Sequence, residues 1–578
     1  VRLATALVFL VLSWPRAAYG QAPETPPAAA LPPQVERVLK HVPDDARLVV
    51  VVPSVEALSS GLSAFGTATG IPDLADVTAR RLLEEALDKS ATALDTAGAL
   101  VLALAPGQDE PILIAGLRNE ESWKAATQPS TLRDGVLVYE FGPDRFIAAS
   151  TGGVALFARE KEELRGGLDA TGQFVARFSG AVGPWLAQRQ AVVYVDVTAW
   201  REEIDTGLGL AAQRIPGGMA VAGQDVEAGM QMWNWILERL KRLVREARTY
   251  VGSVRVDARG VLLDGRVTFQ PDSSVSHYLA QVRRPQRDLL RGLPAGAGPV
   301  VMSYEWEEEP GAEGLSSTMA RALLNMDALK ERFGAEQLEA VVRQSIELNR
   351  TVPGTSAVFG FGPTGKGVLY WGLYLTREGD AVRRDVRKIC ELTPELLGAW
   401  GAFPAAMTPG AAEDVAGVAT DVYQFKVETN DSPRQPMVEA LYGRDPALLM
   451  APHPEGVAYA FGPREDARQK LAELLKTDAA PLSKDPHVTD LFKVLTPGPQ
   501  LCVLADIPRL LTSVTGVLEQ FGVPVPPLEL GDADMPWAGF TFYLDPEAPR
   551  AEFFVPAVPI KGLVKAVHEL EGKRDEAY

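Results

Sequence analysis

Few stretches of this chain combine residue types and spacings that could do chemistry, and each has a competing structural use. Gly360-Phe361-Gly362-Pro363-Thr364-Gly365-Lys366-Gly367 has the glycine and lysine pattern of a phosphate-binding loop. In such a loop backbone N–H groups cradle phosphate, and a Ser or Thr after the lysine ligates magnesium. Gly367 stands at that position, and the strand-like GVLYWGLYLT follows where a helix is needed. The stretch is expected to be a hairpin turn. The five histidines, His41, His277, His453, His487 and His568, form no H-x-x-H or H-E-x-x-H pair, so surface or capping roles are expected. The chain lacks G-x-S-x-G between strand and helix, the setting of a hydrolase serine. Ser59, Ser60 and Ser63 therefore read as capping or close-packing residues.

Four glutamates, Glu305, Glu307, Glu308 and Glu309, surround Trp306. Clustered carboxylates can hold a divalent cation, but calcium-loop spacing is missing and a solvated acidic face is expected. Asp196 and Asp506 end similar apolar runs, VYVD and VLAD. Paired catalytic acids are one reading, and helix caps, the expectation here, the other. The two cysteines, Cys390 and Cys502, could form one disulfide in an exported chain, or stand as separate buried thiols in KICEL and QLCVL. Trp233 and Trp235 precede Arg239, Lys241, Arg242, Arg245 and Arg248 on one helical stretch. A basic amphipathic helix can dock on a membrane surface or an acidic partner. Its apolar side, Trp233, Ile236, Leu240, Leu243 and Ala247, equally suits a core.

The elements that would position these residues share one opening. LVVVVPSVEALSSGLSAF (residues 48–65) reads as a strand, a stop at Pro53 and a helix capped by Ser54. AVVYVDVTAWREEI, PVVMSYEW and QLCVLADIPRLLTSVTGVL echo it. Between these openings, VLVYEF, DRFIAAS and GVALFARE give three strands and a helix, and MVEALYGRDPALLMAPHPEGVAYAFGPREDARQKLAELL repeats that order. The fold expectation is α+β: tandem duplicated modules with mainly antiparallel or mixed sheets and flanking helices. The first half covers 34–285, with units near 34–130, 131–185 and 186–285. The second covers 289–572, with units near 289–420, 421–485 and 486–572, before a polar tail at 573–578.

Composition bounds the function. The 578 residues are 46% hydrophobic and carry a formal charge of -18, enough apolar material for several cores and a surface that repels nucleic acid. Residues 1–20 read as a signal peptide: Arg2, an apolar run too short for a comfortable span, and small residues around Ala18-Tyr19-Gly20. Residues 21–33 read as a Pro/Ala spacer. No stable transmembrane span is expected after signal removal, and no cofactor is called for.

LKHVPDDARLVVVVPSVEAL, followed by repeated α/β units, resembles a broad set of exported bacterial proteins of unknown function. That resemblance implies a periplasmic or secreted location and transfers no catalytic residue. The expectation is a non-enzymatic scaffold or protein-binding protein of the envelope, partnered by an envelope protein. A carrier of an apolar ligand or envelope lipid, and a divergent hydrolase, are the alternatives.

Overall fold

The computed structural model describes residues 31–565, apart from 109, 127–130, 134–135, 142–145, 183–185, 211–225, 284–286, 309–323, 325–329, 332–333, 362–366, 393–404, 428–438, 440–441, 444, 477–479, 521–535 and 546–547. The signal and nearly all of the spacer expected at the N-terminus lie outside the described residues, as does the tail.

The apolar runs form strands because many of them are rich in β-branched and aromatic residues. In the first half these are β1 (Leu48–Val52), β2 (Leu100–Leu104), β3 (Ile112–Gly116), β4 (Thr131–Arg133), β5 (Val136–Phe141), β6 (Phe146–Thr151), β7 (Val154–Ala158), β8 (Ala191–Asp196), β9 (Ala247–Asp257), β10 (Gly260–Phe269) and β11 (Val282–Arg283). The second half supplies β12 (Val300–Glu305), β13 (Glu307–Glu308), β14 (Gly354–Phe361), β15 (Val368–Leu375), β16 (Ala405–Pro409), β17 (Glu413–Val415), β18 (Val418–Val427), β19 (Pro446–His453), β20 (Gly456–Pro463), β21 (Leu501–Asp506), β22 (Trp537–Tyr543) and β23 (Arg550–Pro556).

Except for the β11–β13 ribbon, these strands join into one 21-stranded sheet. The pairings are antiparallel and run β5-β6-β7-β3-β2-β1-β8-β9-β10-β23-β22-β21-β12-β14-β15-β20-β19-β18-β16. β4 and β17 flank β5 and β18. The expected antiparallel α/β character is therefore present. Pro53 ends β1, and Ser54 accepts a 3.1 Å hydrogen bond from the Ala57 N–H to cap the helix that follows.

The helices used below are α1 (Pro33–Leu39), α2 (Val55–Thr69), α3 (Ala79–Leu87), α4 (Lys161–Leu168), α5 (Gln173–Val182), α6 (Val226–Glu246), α7 (Ser274–Ala280), α8 (Ala335–Thr351), α9 (Gly379–Leu392), α10 (Arg464–Leu474), α11 (Pro486–Val494), α12 (Ile507–Gln520) and α13 (557–565). Directly paired residues in an antiparallel ladder share a face. One face carries Val49, Val51, Val101 and Val192 against α1, α4 and α5, and continues as Val301, Val358, Leu373 and Leu449 against α10 and α11. The opposite face is packed by α2 and α3, by α6, and by α8 and α9. No helix among the described residues is long and apolar enough to cross a membrane.

The halves meet where β10 pairs β23 over seven residues, from Gly260↔Pro556 to Arg266↔Arg550. Each closing helix crosses this seam. Leu279 of α7 packs with Trp306, whereas Ala557 and Ile560 of α13 pack with Phe65 and Leu62 of α2.

Helix α3 ends at Leu87 and continues as the 3-10 turn Asp88–Ala93. Two sequence expectations shift. The strand expected at MVEALY is not made: Glu439 and Tyr442 are helical, its other residues 437–438 and 440–441 lie outside the described residues, and β18 pairs with β19 instead. β18 also straddles the boundary expected near residue 420.

Candidate functional site

A groove of about 720 Å³ opens between α2, the start of α3 and the connection into β2. On α2, Glu56, Ser60, Ser63 and Ala64 recur at three- and four-residue intervals, so one stripe of the helix faces the groove. Thr78 and Arg80 supply the opposite wall, and Thr96 and Arg118 complete it. Two of the serines have structural uses, as their spacing implied: Ser59 Oγ donates to Glu56 O at 3.0 Å and Ser63 Oγ to Ala75 O at 2.6 Å. Ser60 is exposed. Arg80 is held by Glu84 at 2.5 Å, whereas no ion pair among the described residues involves Glu56 or Arg118. Among the described residues the lining holds hydroxyls and both signs of charge but no histidine or cysteine. It can hydrogen-bond a polar ligand, and it lacks the imidazole or thiolate partner of an activated nucleophile.

A second polar cluster lies buried at the seam. Register places Ser253, Asp264, Glu552 and Thr541 in one row, with Asp264 directly opposite Glu552. Two carboxylates this deep require partners. Arg189 binds Asp264 Oδ2 through Nε at 2.9 Å and through its terminal nitrogen at 2.5 Å, while Ser253 Oγ donates to Oδ1 at 2.5 Å. Glu552 accepts from Thr496 N–H and Oγ1, both at 2.7 Å, from Tyr543 at 3.0 Å and from Arg550 at 3.2 Å. Burial, and then the Glu552 charge, push the Tyr543 phenol well up. The two carboxylates hold strands together, and their oxygens accept from groups of the protein.

The basic helix is α6. Leu237 and Val244 are buried, with Leu240 packed beside them against Val195, Tyr250 and Val267. Leu237, Val244 and Ala247 are thus buried, with Leu240 and Leu243 partly buried; the helix ends at Glu246 and Ala247 already belongs to β9. Arg242, Arg245 and Arg248 point to solvent. Lys241 pairs with Glu238 at 3.2 Å and Arg245 with Asp205 at 3.9 Å. Arg239 is half-buried and has a partner of its own. Trp233 and Trp235 belong to the helix, but their side chains lie outside the described residues.

Of the two readings of Cys390 and Cys502, the structure shows separate buried thiols and no disulfide. Cys390 lies in the α9 cluster and Cys502 in the core on the opposite face, so the sheet separates them. Burial pushes both thiols up to about 12, which removes the thiolate that reactivity needs. Glu305 is also corrected: its side chain is 1% exposed, not solvated. Arg291 grips it through two nitrogens at 2.6 and 2.9 Å and reaches Glu455 at 2.9 Å. Glu307 and Glu308 form β13 with undescribed side chains, and Glu309 lies outside the described residues. Asp196 accepts from Thr198 N–H at 3.0 Å and Asp506 from Arg509 N–H at 3.2 Å, so both act as caps. Burial lowers the pKa of His41 and of His453. The His277 ring meets Ser273 O at 2.9 Å; His487 begins α11, and His568 lies outside the described residues. The phosphate-loop look-alike spans the β14–β15 connection, where Phe361 pairs with Val368; residues 362–366 lie outside the described residues. No group of three potential metal ligands occurs among the described residues.

Arg189, Asp264, Glu552 and Arg550 were missed from sequence because their partners are not at motif spacing. Arg189 and Asp264 are 75 positions apart, Thr496 and Glu552 are 56. One signal was legible: an acid in the second strand of each closing hairpin, with a hydroxyl residue eleven positions before it. No family model, curated protein or solved structure matches the chain.

Proposed function

We propose that this chain is a non-enzymatic scaffold or protein-binding protein of the bacterial envelope, exported and built from two divergent copies of one module. The observation that carries the reading is how the central sheet uses its buried charges. Asp264, Glu552 and Glu305 are each bound by an arginine of the same chain, an arrangement that fixes geometry and leaves no carboxylate for acid–base work there.

The duplication rests on strand order and repeated detail. Outward from the seam, β10-β9-β8-β1-β2-β3-β7-β6-β5 corresponds to β23-β22-β21-β12-β14-β15-β20-β19-β18. Gln190 Oε1 accepts from Val256 N–H at 2.9 Å, and Gln500 Oε1 accepts from Leu544 N–H at 2.8 Å. These pairs occupy matching places beside β8–β9 and β21–β22. Asp264 and Glu552 also match and face each other, as equivalent residues do on a two-fold axis.

The partner surface is the solvent side of α6 with the adjoining start of β9, where Arg242 and Arg245 of the helix and Arg248 of the strand are set against an otherwise acidic chain. The test is capture of the full chain from envelope extract, with bound proteins and lipids both identified, beside an Arg242→Glu/Arg248→Glu variant. A protein recovered in stoichiometric amount and lost by the variant supports the reading. One stoichiometric lipid, unaffected by the variant, replaces it with the carrier.

A further inference from the structure

We propose that the strip of sheet left bare over β22 and β23 among the described residues is a docking groove for one amphipathic helix of a partner protein, apolar along one stripe and acidic beside it. This deepens the protein-binding reading with a second surface; it rests on the matched strand order and not on the basic side of α6. Counting from the matched acids Asp264 and Glu552, Gly265 corresponds to Phe553 and Val267 to Val555. Counting from Asp196 and Asp506, Val195 corresponds to Ala505 and Ile204 to Val514. In the first half this face lies under α6: Val195 and Val267 are each 7% exposed, and Ile204 packs beside them. In the second half Ala505 and Val555 are partly exposed, Phe553 is 39% exposed and Val514 38%. The connections explain the difference. Residues 197–246 join β8 to β9 and carry α6, whereas the shorter 507–536 join β21 to β22 and, among the described residues, carry α12 alone.

The gap has the width of one helix. α13 packs over Val254 and Val261 of β9 and β10. α12 lies against β21 and β14, the two neighbours of β12, and holds the place of residues 197–208, which pack on this face in the first half. Four strand spacings separate β10 from β12, roughly 19 Å. Helices pack about 8–10 Å apart, so one helix fits between α13 and α12. Register sets Met302, Val503, Phe540 and Phe553 side by side on four adjacent strands of this strip, a row without a charge. Such a row matches an apolar stripe at three- and four-residue spacing. The charged side chains described on the two walls are Arg509, Lys561 and Lys565, all exposed and all basic on a chain of net charge -18. Carboxylates beside the stripe complement them. A second copy docked face to face would bring two pairs of basic walls together, and an acyl chain would leave them unanswered.

The test is fluorescence anisotropy of a labelled, end-capped peptide of about four helical turns, with leucine at i, i+3, i+4 and i+7 spacing and glutamate and alanine elsewhere, titrated with the full chain. The parent chain is expected to bind it, and Phe553→Asn and Val514→Asn each to weaken binding about tenfold or more. Both side chains are exposed, and unchanged circular dichroism confirms that the variants fold. The same composition with its leucines spread around the helix should bind about tenfold more weakly, as should a peptide with lysine in place of glutamate. Arg242→Glu/Arg248→Glu should leave binding unchanged; binding lost in that variant but kept in Phe553→Asn overturns the groove and leaves the α6 reading standing. No binding by the parent chain at roughly 100 μM overturns the proposal, as does equal affinity for the two leucine arrangements. A dimer in sedimentation velocity that Phe553→Asn dissociates gives the groove to a second copy, and stoichiometric palmitate uptake abolished by that variant gives it to an acyl chain; either overturns the helix assignment.

Discussion

Replacing Arg189 by methionine removes the guanidinium that binds Asp264 and leaves the carboxylate behind. The Asp264 side chain is 1% exposed, and that of Arg189 10%. Breaking such a buried pair from one side costs about 3–5 kcal/mol, because the remaining charge stays in a low-dielectric site. Ser253 still donates to Oδ1, which places the expected loss at the lower end, about 3 kcal/mol. Removing both charges, as Arg189→Met/Asp264→Leu, takes away the uncompensated carboxylate. Such replacements are often neutral or stabilising, and the orphaned Ser253 hydroxyl costs about 1 kcal/mol. The double variant should therefore be more stable than Arg189→Met alone by roughly 2 kcal/mol or more. Urea unfolding followed by tryptophan fluorescence reads the difference as a shift in midpoint at unchanged slope. A single variant within about 1 kcal/mol of the parent, or a double variant no more stable than the single, would refute the claim that this pair is a buried, mutually dependent element of the seam.

Cys390 and Cys502, both buried with thiols pushed up to about 12, should resist a thiol reagent at pH 8 in the folded protein and both react in denaturant; fast labelling of either in the native state contradicts their placement. Gly372→Ala would put its Cβ 1.9 Å from Ser356 O, so the β14–β15 pair must separate, and loss of soluble expression or a drop of several kcal/mol is expected. His41 and His453 have pKa values lowered by burial, and His453 Nδ1 accepts from Glu455 N–H at 3.1 Å. The unfolded chain binds these protons more readily, so their stabilisation is present above the unfolded pKa of about 6.5 and is lost as pH falls through the lower folded values. His41→Gln/His453→Gln should flatten the decline in urea midpoint between pH 7.5 and 5.5, and an unchanged slope would remove these two as its cause.

How much of this was legible beforehand differs by element. β1, its stop at Pro53 and the Ser54 cap were readable because Val49 to Val52 are all β-branched and a capping hydroxyl is a local device. Asp196 and Asp506 were readable as caps for the same reason. One further sequence echo went unread: Leu39-Lys40-His41-Val42-Pro43-Asp44-Asp45-Ala46 before β1, and Leu290-Arg291-Gly292-Leu293-Pro294-Ala295-Gly296-Ala297 before β12. Both carry the pattern L-[KR]-x-[VL]-P-x-x-A at the entrance of matching strands.

By itself the sequence determined most strands, most helices and their caps, since hydrophobic period and capping chemistry act within a few residues. Only the tertiary structure decided which strands are neighbours, and hence that one sheet runs through both halves across β10 and β23. It also decided the fate of the charges. Glu305 looked like one member of a solvated acidic run until Arg291 was brought to it, and no local pattern set Asp264 apart before Arg189 reached it. Burial and ion pairing depend on contacts between distant segments, and no local pattern records them. The serines of α2 show the same division: their spacing foretold capping and packing, while the groove that Ser60 lines with Thr78 and Arg118 exists only because α3 and the entry to β2 fold beside α2.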